Sequence, residues 1–328
     1  MFILGFFMKK SLPSISSQID EQTINEVIQK NYALLAPYVT SFISNWLIRA
    51  YEHYKDIDKF IVIIYLINTD LIFFRRNGLK IDYETFYKDK TLEIEKINIT
   101  DISKDLQIPK ESVRRKVLEL EKKGVIKKTG KKIFVDRSAF YAAQANKTLA
   151  DLSTLLFEFN KLLKKDKLAS SIFEVERISE SIKENFSFCW YQFYKFLFIF
   201  TNRWRTELKD LETFCIGMVV VINATFNKDF EPKKKNLSSY RKELMGSDLK
   251  GVNAMSISEI TGIPRPTVVR KLKFLIDNKF LSINEKKLIS FNVKDSAFKR
   301  TVNIQNKNML SLSNLIYRLF NQIKIINS

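Results

Sequence analysis

Basic and hydroxyl-bearing side chains recur in this sequence at a constant separation of 155 positions. Arg115 returns as Arg270, and the surrounding segments, 102–126 and 257–281, are identical at 8 of 25 positions without a gap. Chance gives roughly two identities over such a length, so the spacing indicates an internal duplication. Arginine can donate two parallel hydrogen bonds to guanine, and serine or threonine hydroxyls can also contact base edges, so Ser112 and Thr267 are expected to contact bases beside the duplicated arginines. The remaining cations are expected to bind phosphate oxygens. The predicted DNA-binding set comprises Lys110, Glu111, Ser112, Arg114, Arg115, Lys116, Lys128, Lys131, Lys132, Arg265, Thr267, Arg270, Lys271, Lys286 and Lys287.

Catalytic and metal-binding chemistry has few candidate residues. His53 is the only histidine, and Cys189 and Cys215 each lie in an apolar run. This set lacks the spacing of zinc ligands, and nucleophilic catalysis would depend on His53 alone. We therefore expect no enzyme activity, no metal and no cofactor. Buried thiols are typical of a reducing compartment, which predicts a cytoplasmic protein.

Two short helices in each copy must position the duplicated residues. Asp101 and Ser256 are expected to cap the first helix, which ends near position 107 or 262. Pro109 and Pro264 suit the first turn of the second helix, where a missing N–H costs nothing. The spacing i, i+4, i+7 predicts that this helix buries one face, formed by Val113, Val117 and Leu120 or by Val268, Leu272 and Leu275.

The outer face of the second helix carries the predicted readers of base sequence. Glu111 and Arg115 lie there in the first copy, and Pro266 and Arg270 in the second. Glu111 can pair with Arg115 along the helix, which would be a purely stabilising role, or accept a hydrogen bond from cytosine. Because Pro266 replaces the acid, Arg270 is the stronger candidate for reading a base.

A lysine-rich β-hairpin is predicted after each second helix. Gly124 suits the residue that ends the helix in the first copy, whereas Lys279 is a less favourable choice there. Turns are expected at 129–130 and 284–285, between strands that begin near 126 and 281. A lysine hairpin is either a phosphate-binding surface or an ordinary solvated one.

Composition predicts a mainly α-helical protein. The duplication predicts two similar units, 24–165 and 166–328, preceded by a disordered or mis-called extension, 1–23. Translation starts at Met1 or at Met8. The net charge is +19, from 55 basic and 36 acidic residues among 328, which attracts anionic partners. An A/T-rich coding sequence also enriches lysine, so the position of the charge is more informative than its total.

Apolar helices flank the duplicated segments. Each unit is expected to open with two of them (24–53 and 56–75; 178–205 and 210–226) and to end with another (137–163; 295–326). Polar insertions lie at 76–98 and 227–253, and the second, which carries three consecutive lysines at 233–235, is expected to be a mobile loop. Apolar runs of 15 residues are shorter than the ~20 residues that span a bilayer, so no membrane partner is expected. The aromatic segment 186–194 suits the contact between the copies better than a ligand pocket, because it offers few polar groups.

A helix, a tight turn, a helix and a basic hairpin together resemble the winged helix-turn-helix. With their flanking helices the units are similar to MarR-type regulators, which are homodimers held by terminal helices and often respond to small phenolic ligands. This resemblance implies a monomer acting as a pseudo-dimer, with two recognition helices on double-stranded DNA, and it leaves any effector unknown. A transcriptional regulator is the leading hypothesis. A plasmid or phage replication initiator and a winged-helix scaffold that binds protein are the alternatives.

Overall fold

A computed structural model describes residues 18–88, 91–94, 96–130, 132–136, 145–226, 230–246, 251–292 and 296–327. These ranges contain fourteen helices and five short strands, which confirms a mainly α architecture. The first copy comprises α1 (Glu21–Lys30), α2 (Tyr32–Tyr54), α3 (Ile57–Arg76), α4 (Tyr83–Lys88), β1 (Thr91–Ile94), α5 (Ile99–Leu106), α6 (Lys110–Lys122), β2 (Ile126–Thr129), β3 (Lys132–Asp136) and α7 (Ala145–Lys165).

The second copy repeats this order of helices. It comprises α8 (Val175–Glu184), α9 (Phe186–Leu208), α10 (Leu211–Thr225), α11 (Leu237–Gly246), α12 (Ala254–Thr261), α13 (Arg265–Asp277), β4 (Leu281–Ile283), β5 (Ile289–Phe291) and α14 (Ser296–Ile326). None of the helices in the described ranges has both the length and the apolar character that a membrane crossing requires.

The opening helix of each copy is broken, where the sequence predicted a continuous one over 24–53 and 178–205. The breaks fall at Asn31 and Asn185, whose backbones leave helical geometry at φ −115° and −117°. Asn31 Nδ2 donates to the carbonyl oxygen of Val27 at 3.0 Å, a local bond that competes with helix continuation. The break lets the short first helix take a direction of its own.

The two copies exchange their first helices. Helix α1 packs against α14, and α8 packs against α7. Asn321 of α14 accepts from the N–H of Ile19 at 3.0 Å and donates to its carbonyl at 2.8 Å. Asn160 of α7 accepts from the N–H of Phe173 at 2.8 Å and donates to the carbonyl of Ser171 at 3.1 Å. Matching asparagines thus fasten the start of each copy to the end of the other.

The aromatic segment 186–194 lies between the copies, as predicted. Helix α9 packs against α3 of the first copy and α14 of the second. The rings of Phe193 and Phe42 are 5.4 Å apart, and those of Phe186 and Phe86 are 5.1 Å apart. All four side chains are buried. Such a ring cluster removes a large apolar area from water and holds the copies together.

Both insertions contain regular structure in their described parts, and in the second a helix replaces the predicted mobile loop. In the first copy α4 precedes β1, which pairs antiparallel with β3 so that Leu92 lies opposite Val135 and the strand order is β1-β3-β2. In the second copy α11 is followed by a single bridge between Val252 and Ile289. Alternate residues of β1 are buried, but the pattern covers only four residues within a polar stretch.

Candidate nucleic-acid interface

Asparagines, and not the predicted residues, cap the first helix of each helix–turn–helix. Asn98 Oδ1 accepts from the N–H of Thr100 at 3.1 Å, and Asn253 Oδ1 accepts from the N–H of Ser256 at 2.9 Å. Asp101 and Ser256 therefore lie inside the first turn, where Asn98 Nδ2 also donates to Asp101 at 2.6 Å. Both asparagines are three residues earlier than predicted, at the same separation of 155 positions.

Matching serines close the turn between the two helices. Gln107 and Gly262 adopt left-handed backbones with φ of 53° and 67°, so the first helix ends where the sequence predicted. Ser103 Oγ donates to the carbonyl of Ile108, and Ser258 Oγ donates to the carbonyl of Ile263, both at 2.7 Å. These bonds give a structural reason for the serine identity between the copies.

Helices α6 and α13 bury one face and expose the opposite one. The predicted apolar positions are buried in both copies. Pro109 and Pro264 stand at the cap position immediately before each helix. Arg115 keeps 71% of its side chain exposed, and Arg270 is exposed as well. The two arginines, which stand at matching positions of the copies, are therefore accessible to a binding partner.

Lys116 and Lys271 have a structural role instead of the predicted contact with DNA. The Lys116 ammonium lies 2.5 Å from Asp56 and only 8% of this side chain is exposed, while the half-buried Lys271 lies 2.7 Å from Asp210. Each aspartate also accepts from the backbone N–H three residues later and so caps α3 or α10. The lysines tie α6 and α13 to these helix starts, which leaves neither ammonium free for a phosphate.

The starts of α3 and α10 also contact each other. The N–H of Ile57 donates to Glu212 Oε1 at 2.9 Å. Arg205 Nη2 lies 2.6 Å from Asp58 Oδ1, and Arg205 Nη1 donates to the carbonyl of Leu106 at 2.6 Å. Burial, with Asp58 nearby, raises the pKa of Glu212 to about 7. Polar contacts therefore connect α6 to α13 through the starts of α3 and α10, by way of Lys116–Asp56, Ile57–Glu212 and Asp210–Lys271.

Acidic neighbours distinguish the exposed cations of the two copies. On α6, Arg114 lies 4.0 Å from Glu111, and Arg115 lies 3.9 Å from Glu119, so the Glu111–Arg115 pair weighed from the sequence does not form. Lys110 is exposed and Ser112 is half-buried. On α13, Arg265 and Arg270 are exposed, Thr267 is half-buried, and neither arginine forms an ion pair within the described part of the chain.

The hairpin lysines are exposed where they are described. Lys128 lies 2.6 Å from Glu121, and Lys132 lies 3.1 Å from Glu93, with more than half of each lysine side chain exposed. Lys286 and Lys287 are exposed and form no ion pair with any described residue. Lys131 lies outside the described residues. The lysines of the second hairpin are therefore less neutralised by acidic neighbours than those of the first.

Lys273 is a further cation of this surface that was not among the residues predicted to bind DNA. It is exposed and follows Arg270 by three residues, so both lie on one side of α13. Helical spacing identifies it, but the duplication does not, because the first copy has Leu118 at the matching position.

No group of three or more histidine, cysteine or acidic residues suited to a metal occurs in the described ranges. A scan against protein-family models and searches of curated proteins and of solved structures found no match for this chain.

Proposed function

We propose that this protein binds double-stranded DNA through α6 and α13 as two winged helix-turn-helix units and regulates transcription. One observation carries the proposal: both helices expose an arginine at the same position while matching Lys–Asp ion pairs fix them to the protein core. A helix that reads base sequence (a reading helix) must be held in a fixed position, because discrimination between sequences depends on the placement of a few side chains.

Charge and helix position support contact with the duplex. Lys110 and Arg265 occupy the first turn of α6 and α13, where backbone N–H groups and cations together favour phosphate. Arg115 and Arg270 lie one to two turns further on, within reach of base edges when the helix enters a major groove. The hairpin lysines, apart from those paired with acids, are suited to the flanking phosphates.

The copies are expected to read different half-sites. Arg115 is accompanied by Glu111 and Glu119, whereas Arg270 is accompanied by Pro266 and Lys273. A carboxylate beside a base-reading arginine repels phosphate and can accept a hydrogen bond from cytosine. An arginine with no acidic neighbour, next to a lysine, favours hydrogen bonds to guanine. The proposed target is therefore an imperfect repeat, with the stronger electrostatic contact on the side of the second copy.

Selection of duplexes from a random library, followed by binding titrations in increasing salt, tests the proposal. We expect a selected sequence with two half-sites and a steep fall in affinity with salt. Arg270→Ala should cost about 1–3 kcal/mol and relax preference at one position, and Arg115→Ala should do so in the other half-site. Lys286→Ala should weaken all duplexes similarly.

Arg318→Ala is the charge-matched control, since Arg318 is exposed on α14 and belongs to neither reading helix. It should leave sequence preference unchanged. If wild-type protein binds no duplex more tightly than Arg115→Ala/Arg270→Ala does, the proposal is wrong and a protein-binding scaffold becomes the better hypothesis.

A further inference from the structure

The two reading helices differ on the flank beside the arginine that they share. On α6, Arg114 and Leu118 are four residues apart and are therefore neighbours on one side of the helix. The Arg114 side chain is largely exposed, and Leu118 is 48% exposed although it is apolar. Both lie next to Arg115, outside the buried face of α6. The first copy therefore presents a cation followed by an apolar side chain.

The second copy presents the same two kinds of side chain in reverse order. Val269 stands at the position that matches Arg114, and Lys273 stands at the position that matches Leu118. Val269 is 47% exposed, and Lys273 is exposed as well. Each reading helix thus has one cation and one exposed apolar side chain beside its arginine, but the two have changed places.

An exposed apolar side chain beside a base-reading arginine has a specific partner in DNA. Single apolar residues are common on protein surfaces, so Leu118 or Val269 alone would indicate nothing. Their common feature is the position next to the shared arginine, on the part of the helix that would enter the groove. Thymine displays a methyl group in the major groove, and apolar side chains contact it there. Burial of that methyl group favours thymine at the contacted position.

We propose that Leu118 and Val269 each contact the methyl group of a thymine, at different places in the two half-sites. The inference rests on the proposed binding of DNA through α6 and α13. Leu118 follows its arginine by three residues, whereas Val269 precedes its arginine by one. A helix rises about 1.5 Å per residue, so the two apolar positions are about 6 Å apart along matching helices, roughly two base pairs. The two thymines therefore lie in opposite directions along the reading helix from the guanine that the shared arginine binds.

Deoxyuridine isolates the methyl group, because it differs from thymidine only by that group and forms the same base pair. Duplexes selected by the wild-type protein, with one thymidine at a time replaced by deoxyuridine, are titrated with the full chain. The positions at which Arg115→Ala and Arg270→Ala relax preference assign each half-site to a copy. We expect one position in each half-site at which deoxyuridine weakens binding about three- to fivefold, the factor that burial of one methyl group provides. Leu118→Ala should remove the effect in the first copy's half-site alone, and Val269→Ala in the second copy's alone.

Leu310→Ala is the matched control, because Leu310 is an exposed leucine on α14, outside both reading helices. It should leave both deoxyuridine effects unchanged. Exchange of the flank is the second test, since Val269→Arg/Lys273→Leu gives α13 the order found on α6. In duplexes selected by this variant, the thymine of the second copy's half-site should move to the place that it occupies in the first copy's half-site.

Three results would each overturn the inference: no deoxyuridine replacement weakens binding, the effects survive both alanine substitutions, or the exchanged variant selects the wild-type sequence. If sequence-specific binding in that case still requires Arg115 and Arg270, the proposed function stands. A protein that selects no duplex would overturn the proposed function and this inference together.

Discussion

Replacement of Arg205 by methionine should destabilise this protein more than any exposed charge substitution. The side chain is 4% exposed, and its guanidinium is shared between Asp58 and the carbonyl of Leu106, both at 2.6 Å. Arg205 belongs to the second copy, whereas both acceptors belong to the first. The substitution therefore leaves the buried carboxylate of Asp58 and the backbone carbonyl of Leu106 without this donor at the contact between the copies.

The expected loss follows from burial. Removal of one partner of a buried ion pair costs about 3–5 kcal/mol, because the remaining charge is left without compensation. Arg300 is the matched control: its guanidinium also lies 2.6 Å from a carboxylate, that of Glu207, but 48% of its side chain is exposed. Arg300→Met should cost at most about 1 kcal/mol. The two pairs have the same length and differ in solvent exposure.

Urea unfolding monitored by circular dichroism and by tryptophan fluorescence measures both losses. The double variant Arg205→Met/Asp58→Leu removes the stranded carboxylate and should recover much of the stability lost by Arg205→Met alone. The reasoning is refuted if Arg205→Met costs no more than Arg300→Met, or if the additional substitution of Asp58 makes the protein still less stable.

Three further predictions concern other positions. Lys279 holds a φ of 63° where the first copy has Gly124, so Lys279→Gly should raise the free energy of unfolding by about 0.5–1 kcal/mol in urea titrations, and a loss would contradict this. Because the folded-state pKa of Glu212 lies near 7 and its ordinary value is 4.5, the stability that its protonated form provides is present below pH 4.5 and is lost as pH rises to 7. Glu212→Gln should remove this dependence and gain up to about 3 kcal/mol at pH 8, so an unchanged slope of stability against pH would count against the assignment. Asn321→Leu should leave both backbone groups of Ile19 unpaired and increase hydrogen exchange in α1, and equal protection in the variant and wild type would show that the asparagine does not hold this segment.

Local chemistry made much of the helix–turn–helix predictable. The apolar spacing of α6 and α13 predicted their buried faces, and Gln107 and Gly262 marked the ends of the preceding helices. These features depend on residues three or four positions apart, which the sequence displays directly. The caps were misplaced because Asn98 and Asn253 lie in polar stretches where several residues can serve as caps.

The roles of Lys116 and Lys271 needed the tertiary structure. The lysine is identical in the two copies. This identity is explained equally well by an ion pair within the protein and by a phosphate contact in each copy. The partners, Asp56 and Asp210, lie about 60 residues away in sequence. Both aspartates follow a lysine, in Lys55-Asp56 and Lys209-Asp210, yet nothing in their spacing indicates which helix they will contact.

The sequence by itself determined the duplication, the mainly helical class and the exposed arginines of α6 and α13, because these follow from identities at a constant separation, from composition and from helical spacing. Only the tertiary structure decided that α1 and α8 exchange partners and that the two helix–turn–helix units are joined through Arg205 and Glu212. The break at Asn31 depends on local sequence, but the direction of α1 is set by its packing against α14, which lies more than 280 residues further along the chain.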